Sequence, residues 1–444
     1  MQTKKTYSFV ICHLSFILIL SSLIFNLFSC QRSTAPVYNP QKLQLQVLDV
    51  SCTEAWLSLK AKNDYLNKTL KLFQDDSLKL EKKFTAEDSI LFVENLWPNT
   101  SYQFQVTIYD GNKLIAKSSK VTATTMDTTS HDFTWQTFEF GGQGGSSSFY
   151  DVAIIDENDI WAVGEIYTAD DKYNAAHWDG EKWELRKIPS IICGNNSPIQ
   201  SAIFTVYAFS SNDVWFSDGA ELIHYNGFKF KQDCSINPLL TGKINKIWGT
   251  SSSDLYIVGN NGLIAHYDGQ QWQRIENNVD IPVNDIWGIK SDNYQKIIAV
   301  CSYDWYSRKG DYKIFQISKE GIVDTIIWPW ALEKPLMSVW FKNNKILYIA
   351  GSGIQKYINK KWMFDEYTEN YTFYHIRGSD YNNIIAVGPS GKIFHFNGYS
   401  WYYNRQFTGY ISSLKSVAVY NSLVCAVGKT RTIPSKCMIL LSVK

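Results

Sequence analysis

Residues 244–275 read INKIWGTSSSDLYIVGNNGLIAHYDGQQWQRI, and their period decides the fold. Short apolar-alternating runs, each closed by a turn-forming cluster, spell four strands in succession. Asn245 to Gly249 is the first and runs into Ser251-Ser252-Ser253-Asp254; Leu255 to Val258 is the second, closed by Gly259-Asn260-Asn261-Gly262. Leu263 to Tyr267 is the third. Asp268-Gly269 supplies a two-residue hairpin turn that tolerates positive φ at both centres, and Gln271 to Arg274 is the fourth. Such a meander cannot bury both faces alone, so it needs neighbours like itself.

The chain supplies them. The first-strand anchor Ile247 has counterparts at Val152, Val206, Ile286, Val339, Ile376 and Val417, spaced 37 to 54 residues apart by subtraction of those numbers. The second strand recurs as DIWAVG from Asp159, DVWFSDG from Asp213, IIAVC from Ile297, LYIAG from Leu347, IIAVG from Ile384 and LVCAVG from Leu423. The third strand and its turn recur as HWDGEKW, HYNGFKF, KYINKKW and HFNGYSW. Repetition at several positions at this spacing predicts the blades of a propeller.

The two ends of the repeat region settle closure. Residues 133–138, FTWQTF, read as a fourth strand with no blade before it, whereas the seventh copy ends one strand short. The N-terminal strand is therefore expected to complete the last blade, giving a closed seven-bladed β-propeller over 133–444 with no free edge at the seam. The D-G-x-x-W turn resembles the end of the Asp-box of sialidase-like proteins, and the repeats are WD-like.

Ahead of the repeats, Met1-Gln2-Thr3-Lys4-Lys5 precedes an apolar run over residues 7–28 that breaks at Leu27-Phe28-Ser29-Cys30. A basic head, an apolar middle and a small residue before the break describe an export signal. The tetrapeptide resembles a bacterial lipobox, which implies a signal peptide over 1–29, lipidation of Cys30 and a tether over 30–41. Residues 42–127 then read as a small all-β domain. LWPNTSYQFQV, with Leu96, Pro98, Thr100 and Tyr102, resembles the corner before strand F of fibronectin type III domains. That resemblance implies a Tyr102 hydroxyl bonded to main chain, Trp56 as the core tryptophan, and a spacer role. Met126 to Asp132 reads as a short polar linker.

A net charge of +1 gives no field for nucleic acid. His177, His224, His266 and His395 share one repeat position, so a ring geometry spreads them too far apart to hold one metal; they read as imidazoles bonded within or between blades. Asp159, Asp213 and Asp254 read as turn residues bonding local amides. Trp248, Trp287 and Trp340 read as packing between blades. No P-loop, G-x-S-x-G, H-E-x-x-H or CxxC occurs. A carboxylate pair such as Asp170 and Asp304 leaves a glycosidase open. No cofactor is implied.

Loop length favours one face. First-to-second and third-to-fourth turns are short throughout, whereas excess length falls on the opposite rim, at 165–174, 188–202, 302–312, 329–336 and 429–436. Long loops on a rigid scaffold carry binding. Their residues Tyr167, Tyr173, Tyr303, Asp304, Trp305, Tyr306, Arg308, Trp328 and Trp330 are the expected ligand patch for a protein or glycan, or else a lid over the funnel. Export permits disulfides: Cys193 with Cys234, and Cys425 with Cys437, while Cys52 and Cys301 are expected free. The composite expectation is an all-β, lipid-anchored envelope protein with a fibronectin-like spacer and a binding propeller, or alternatively a carbohydrate-active enzyme using the loop-rich face.

Overall fold

The computed structural model describes residues 41–443 apart from 62, 87, 195–196, 292–293, 304–311, 319–320 and 328–334. Its first eight strands are β1 (Gln41–Val50), β2 (Ala55–Lys60), β3 (Thr69–Gln74), β4 (Ser77–Lys83), β5 (Asp88–Val93), β6 (Ser101–Asp110), β7 (Lys113–Ser118) and β8 (Val121–Thr124). They pair in the order β4-β3-β6-β7-β1-β2-β5, with β8 beside β6. Strand β1 meets β7 in parallel over its first residues and β2 antiparallel over the rest. Leu57, Leu59 and Leu91 pack with Leu70, Leu72, Phe104 and Val106 in one core. The Tyr102 hydroxyl accepts a 2.8 Å hydrogen bond from the Trp97 N–H and pins the corner.

Trp56 departs from expectation. Alternation along β2 sends Ala55, Leu57 and Leu59 into that core. Trp56 therefore faces the other way, and it is buried in a cluster with Trp340, Ile384 and Phe394 of the repeat region. Its ring lies 6.2 Å from that of Tyr381.

The repeats form seven four-stranded antiparallel sheets, blades 1 to 7, over 148–186, 205–233, 244–274, 283–325, 336–364, 375–404 and 411–443. The fourth strand of blade 7 is β9 (Thr134–Phe140), paired from Thr134↔Val443 to Phe140↔Cys437. The ring is closed by main-chain bonds. Between blades the approach is tight: a Cβ on Gly288 would lie 2.4 Å from the Trp248 ring of the preceding blade, so only glycine fits there. Trp287 donates from Nε1 to the Phe341 carbonyl in the next blade at 2.9 Å.

Three of the histidines share one arrangement. Nε2 of His177, His224 and His266 lies 2.8 Å from Asp159, Asp213 and Asp254 respectively. The rings stack on Trp161, Trp215 and Tyr256 at 4.2, 4.5 and 4.2 Å. Those aspartates thus serve the histidines, a role beyond the turn amides expected of them. In blade 6 the aspartate position holds Asn383, whose amide is spent on Ser379 and Asn421. His395 turns instead to His131, with Nδ1 atoms 2.8 Å apart.

Residues 126–132 are consequently docked along the propeller. Asn382 donates to the Asp127 carbonyl at 2.8 Å, and the Thr129 N–H reaches the Asn397 carbonyl at 3.3 Å. Asn343 donates to Asp49 at 2.7 Å, Lys356 pairs with Glu54, and Trp97 stacks on Tyr399 at 5.9 Å. Asn343, Tyr381 and Tyr399 all lie in short turns of blades 5 and 6. The N-terminal domain therefore sits against the short-turn face.

Cys193 and Cys234 are joined, with Cα atoms 5.7 Å apart. Cys425 and Cys437 are both buried and free. Their strands are neighbours, but the register sets Cys425 opposite Leu441 and Cys437 opposite Lys429.

Candidate functional site

Innermost strands leave one edge facing the propeller axis, where no further strand can satisfy its N–H groups. Side chains do so instead. The residue before each anchor is Asp151, Thr205, Lys246, Asp285, Ser338, His375 and Ser416, polar in every blade. Asp151 accepts from the Val206 N–H at 3.1 Å and Asp285 from the Val339 N–H at 3.0 Å. Ser338 accepts from the Ile376 N–H at 3.1 Å, and His375 Nδ1 from the Val417 N–H at 3.1 Å. Ser416 donates to Asp151 at 2.7 Å and carries the bonds across the seam between blades 7 and 1. This polar ring staples blade to blade.

Charges within the ring close in pairs. Lys246 lies 2.7 Å from Asp151, and Arg377 grips Asp285 with two bonds of 2.9 Å. Burial works to raise the Asp285 carboxyl, but the Arg377 charge and bonds outweigh it and hold the acid below its ordinary range. Asp285 is thus no proton donor for glycoside cleavage, which needs an acid with a raised pKa.

Above the ring, on the loop-rich face, opens a funnel of about 660 Å³. A narrower chamber of about 180 Å³ continues along the axis towards the short-turn face. Lys246 and His375 line both. The funnel wall carries Tyr150, Phe204, Tyr303 and Tyr374, interleaved with Lys243 and Lys415. Lys243 sits over the Phe204 ring at 3.3 Å, and Lys415 over the Tyr374 ring at 4.5 Å. Burial, reinforced by the charge of Lys415, brings the Lys243 ammonium down to about 8. Lys415 is lowered by burial and then by Lys429. Burial, then Arg377 and Lys246, keep His375 well below its ordinary value, so its ring is neutral.

Of the residues expected to bind ligand, Tyr303 lines the funnel directly. Tyr167 is one step away: Glu165 accepts from it at 3.3 Å and also from the Tyr150 hydroxyl. Both Tyr167 and Tyr173 lie on strands that extend beyond the blade, paired as Ile166↔Tyr173 and Tyr167↔Lys172, where a loop was expected. Tyr173 packs against the core between blades 1 and 7, which makes it a wall residue of the scaffold. Asp304, Trp305, Tyr306, Arg308, Trp328 and Trp330 lie outside the described residues. Within 188–202, strands Ser190–Ile191 and Pro198–Ile199 form a small hairpin beside the Cys193–Cys234 bridge. Glu221 stands near those two sulfurs, but the bridge removes both as metal ligands.

No protein-family model matches the sequence, and no curated protein matches it. Solved structures share the fold. A structure described as YCF48 bound to D1 peptide is 16% identical with a TM-score of 0.51, covering 71% of this chain and 97% of that one. The WD40 β-propeller domain of Doa1 is 10% identical with a TM-score of 0.50, covering 70% of this chain and 98% of its own. The propeller fold rests on these likenesses and on the seven sheets together.

Proposed function

We propose that the chain is a lipid-anchored protein of the bacterial cell envelope whose propeller is a non-catalytic docking scaffold for a protein partner. The observation that carries this reading is the division of the propeller's two faces. The N-terminal domain occupies the short-turn face, while the funnel opens on the loop-rich one. Gln41 stands eight residues along β1 from the Asp49 contact, about 25 Å away at strand rise. A tether from Cys30 would thus approach from beyond the small domain, with the loop-rich face directed elsewhere. The fibronectin type III-like reading of that domain is supported by the Tyr102 corner and by β1-β2-β5 facing β4-β3-β6-β7 across one core. The YCF48 propeller was solved with a peptide, and a peptide is the partner chemistry adopted here, in preference to a glycan.

Two experiments test the reading. Cys30→Ser should abolish acyl labelling; unchanged labelling removes the anchor. Tyr303→Ala and Trp305→Ala should each weaken co-purification of the partner at least ~10-fold, as loss of an aromatic hot spot does, while Phe228→Ala on the short-turn face should not. Release of products from envelope polysaccharides would instead establish the enzyme.

A further inference from the structure

We infer that the axial funnel receives an acidic segment of the partner protein, seating a carboxylate between Lys243 and Lys415. The inference rests on the scaffold reading above and names the chemistry the partner presents.

Three observations converge. First, the charges around the axis do not all cancel. Lys246 is paired with Asp151 and Arg377 with Asp285. Lys243 and Lys415 have no carboxylate partner among the described residues, although both line the same cavity. Their ammonium groups rest on the faces of Phe204 and Tyr374, contacts that tolerate a cation without neutralising it.

Second, a neutral polar side chain lines the same cavity. His375 Nδ1 lies 3.1 Å from both the N–H and the carbonyl of Val417, and burial holds the ring neutral. Its Nε2 is buried with no hydrogen-bond partner among the described residues. A buried polar atom left unmet costs stability, and a polar group entering the funnel relieves it.

Third, burial and then the Lys415 charge bring the Lys243 ammonium down to about 8, and burial and then Lys429 lower Lys415. A carboxylate bound between them offsets the burial and the Lys415 charge and restores the charge of Lys243. Binding therefore takes up protons near pH 8.

The same geometry speaks against a sugar. Aromatic faces are the usual platforms for sugar rings, and here those of Phe204 and Tyr374 are already covered by ammonium groups, with Tyr150 stacked on Phe204 at 5.0 Å. The funnel admits a side chain or a single extended segment, which is too little for a nucleic-acid duplex.

The test uses the full-length chain in detergent micelles with three probes: hexaglutamate, hexaglutamine and an oligogalacturonate. Calorimetry in buffers of differing ionisation enthalpy counts protons. Hexaglutamate should bind, with affinity falling as salt rises, and hexaglutamine should not. Lys243→Gln and Lys415→Gln should each weaken binding at least ~10-fold, whereas Lys415→Arg should retain it. Proton uptake at pH 8 should be present in the parent and absent in Lys243→Gln. A melting profile like the parent's certifies that each variant is folded, and a misfolded one is replaced by the methionine substitution at the same site, which also removes the charge. Failure of hexaglutamate to bind overturns the inference, as does binding that survives the double glutamine variant. Tighter binding of oligogalacturonate than of hexaglutamate overturns the peptide assignment. If partner co-purification still depends on Tyr303 while these probes fail, the scaffold stands and only the carboxylate site falls.

Discussion

Arg377 of blade 6 reaches across blade 5 to clasp Asp285 of blade 4, each guanidinium nitrogen 2.9 Å from its own carboxylate oxygen. Both side chains are almost wholly buried, at 7% and 1% exposure. Ser338 of the intervening blade donates to the same carboxylate at 2.6 Å. The pair thus fixes three blades at once and closes part of the axis. Removing one partner strands the other charge, which commonly costs about 3–5 kcal/mol. Arg377→Met should lower the propeller's stability by that order in denaturant titration. The double variant with Asp285→Leu should recover much of the loss, and equal instability of single and double variants would contradict the pairing argument.

Trp56 joins the two parts of the chain. Its burial against Tyr381 and Trp340 makes the small domain and the propeller one packed unit. Trp56→Ala should cost on the order of 3 kcal/mol and split one unfolding transition into two. The docked segment 126–132 should then become sensitive to proteinase K. A single transition with an intact linker would place the coupling elsewhere.

Closure has a direct test. Deleting residues 134–138 removes most of β9, and with it ladder bonds worth ~1 kcal/mol each and the contacts of Trp135 with Phe133 and Phe407. The outer edge of Cys437–Val443 would stand open. The truncated chain should aggregate or melt without cooperativity; melting like the parent would mean the ring closes another way.

Lys243 predicts a pH signature. Its folded value is about 8, against 10.5 for an ordinary lysine. Between those values the unfolded chain holds a proton that the folded chain has shed, so this group makes stability rise with pH. Its contribution is complete above 10.5 and is lost as pH falls through 8. The stability of the parent relative to Lys243→Gln should therefore increase across that window. A difference that stays flat with pH would show that Lys243 is not desolvated.

Much of the architecture was legible because it is written several times. Anchors, second strands and hairpin turns repeat at fixed offsets, and Thr134–Phe140 fills the strand that Cys437–Val443 lacks. The polar ring went unread because its members differ in identity: Asp151, Thr205, Lys246, Asp285, Ser338, His375 and Ser416 share only polarity and place. Counting polarity one residue before each anchor finds it. Trp56 was misplaced because a resemblance assigned it inward, whereas the alternation Ala55-Trp56-Leu57 already turned it out. Cys425 and Cys437 sit on adjacent strands, but register is set by hairpin length, which strand adjacency alone does not reveal. The loop-rich face was visible in loop length, and Tyr303 lines the funnel that opens on it. Lys243 and Lys415 carried no signal, since a lysine in a connection reads as solvated until the fold encloses it.

The central claim is that the loop-rich face meets the partner. A photo-cross-linking residue placed at Tyr303, in the funnel wall, and separately at Phe228, 92% exposed in a short turn of blade 2, decides it. Irradiated in the protein's own cells, position 303 should yield a discrete protein adduct that Lys243→Gln with Lys415→Gln diminishes, and position 228 should yield none. Adducts from position 228 alone, or from neither, would contradict the account.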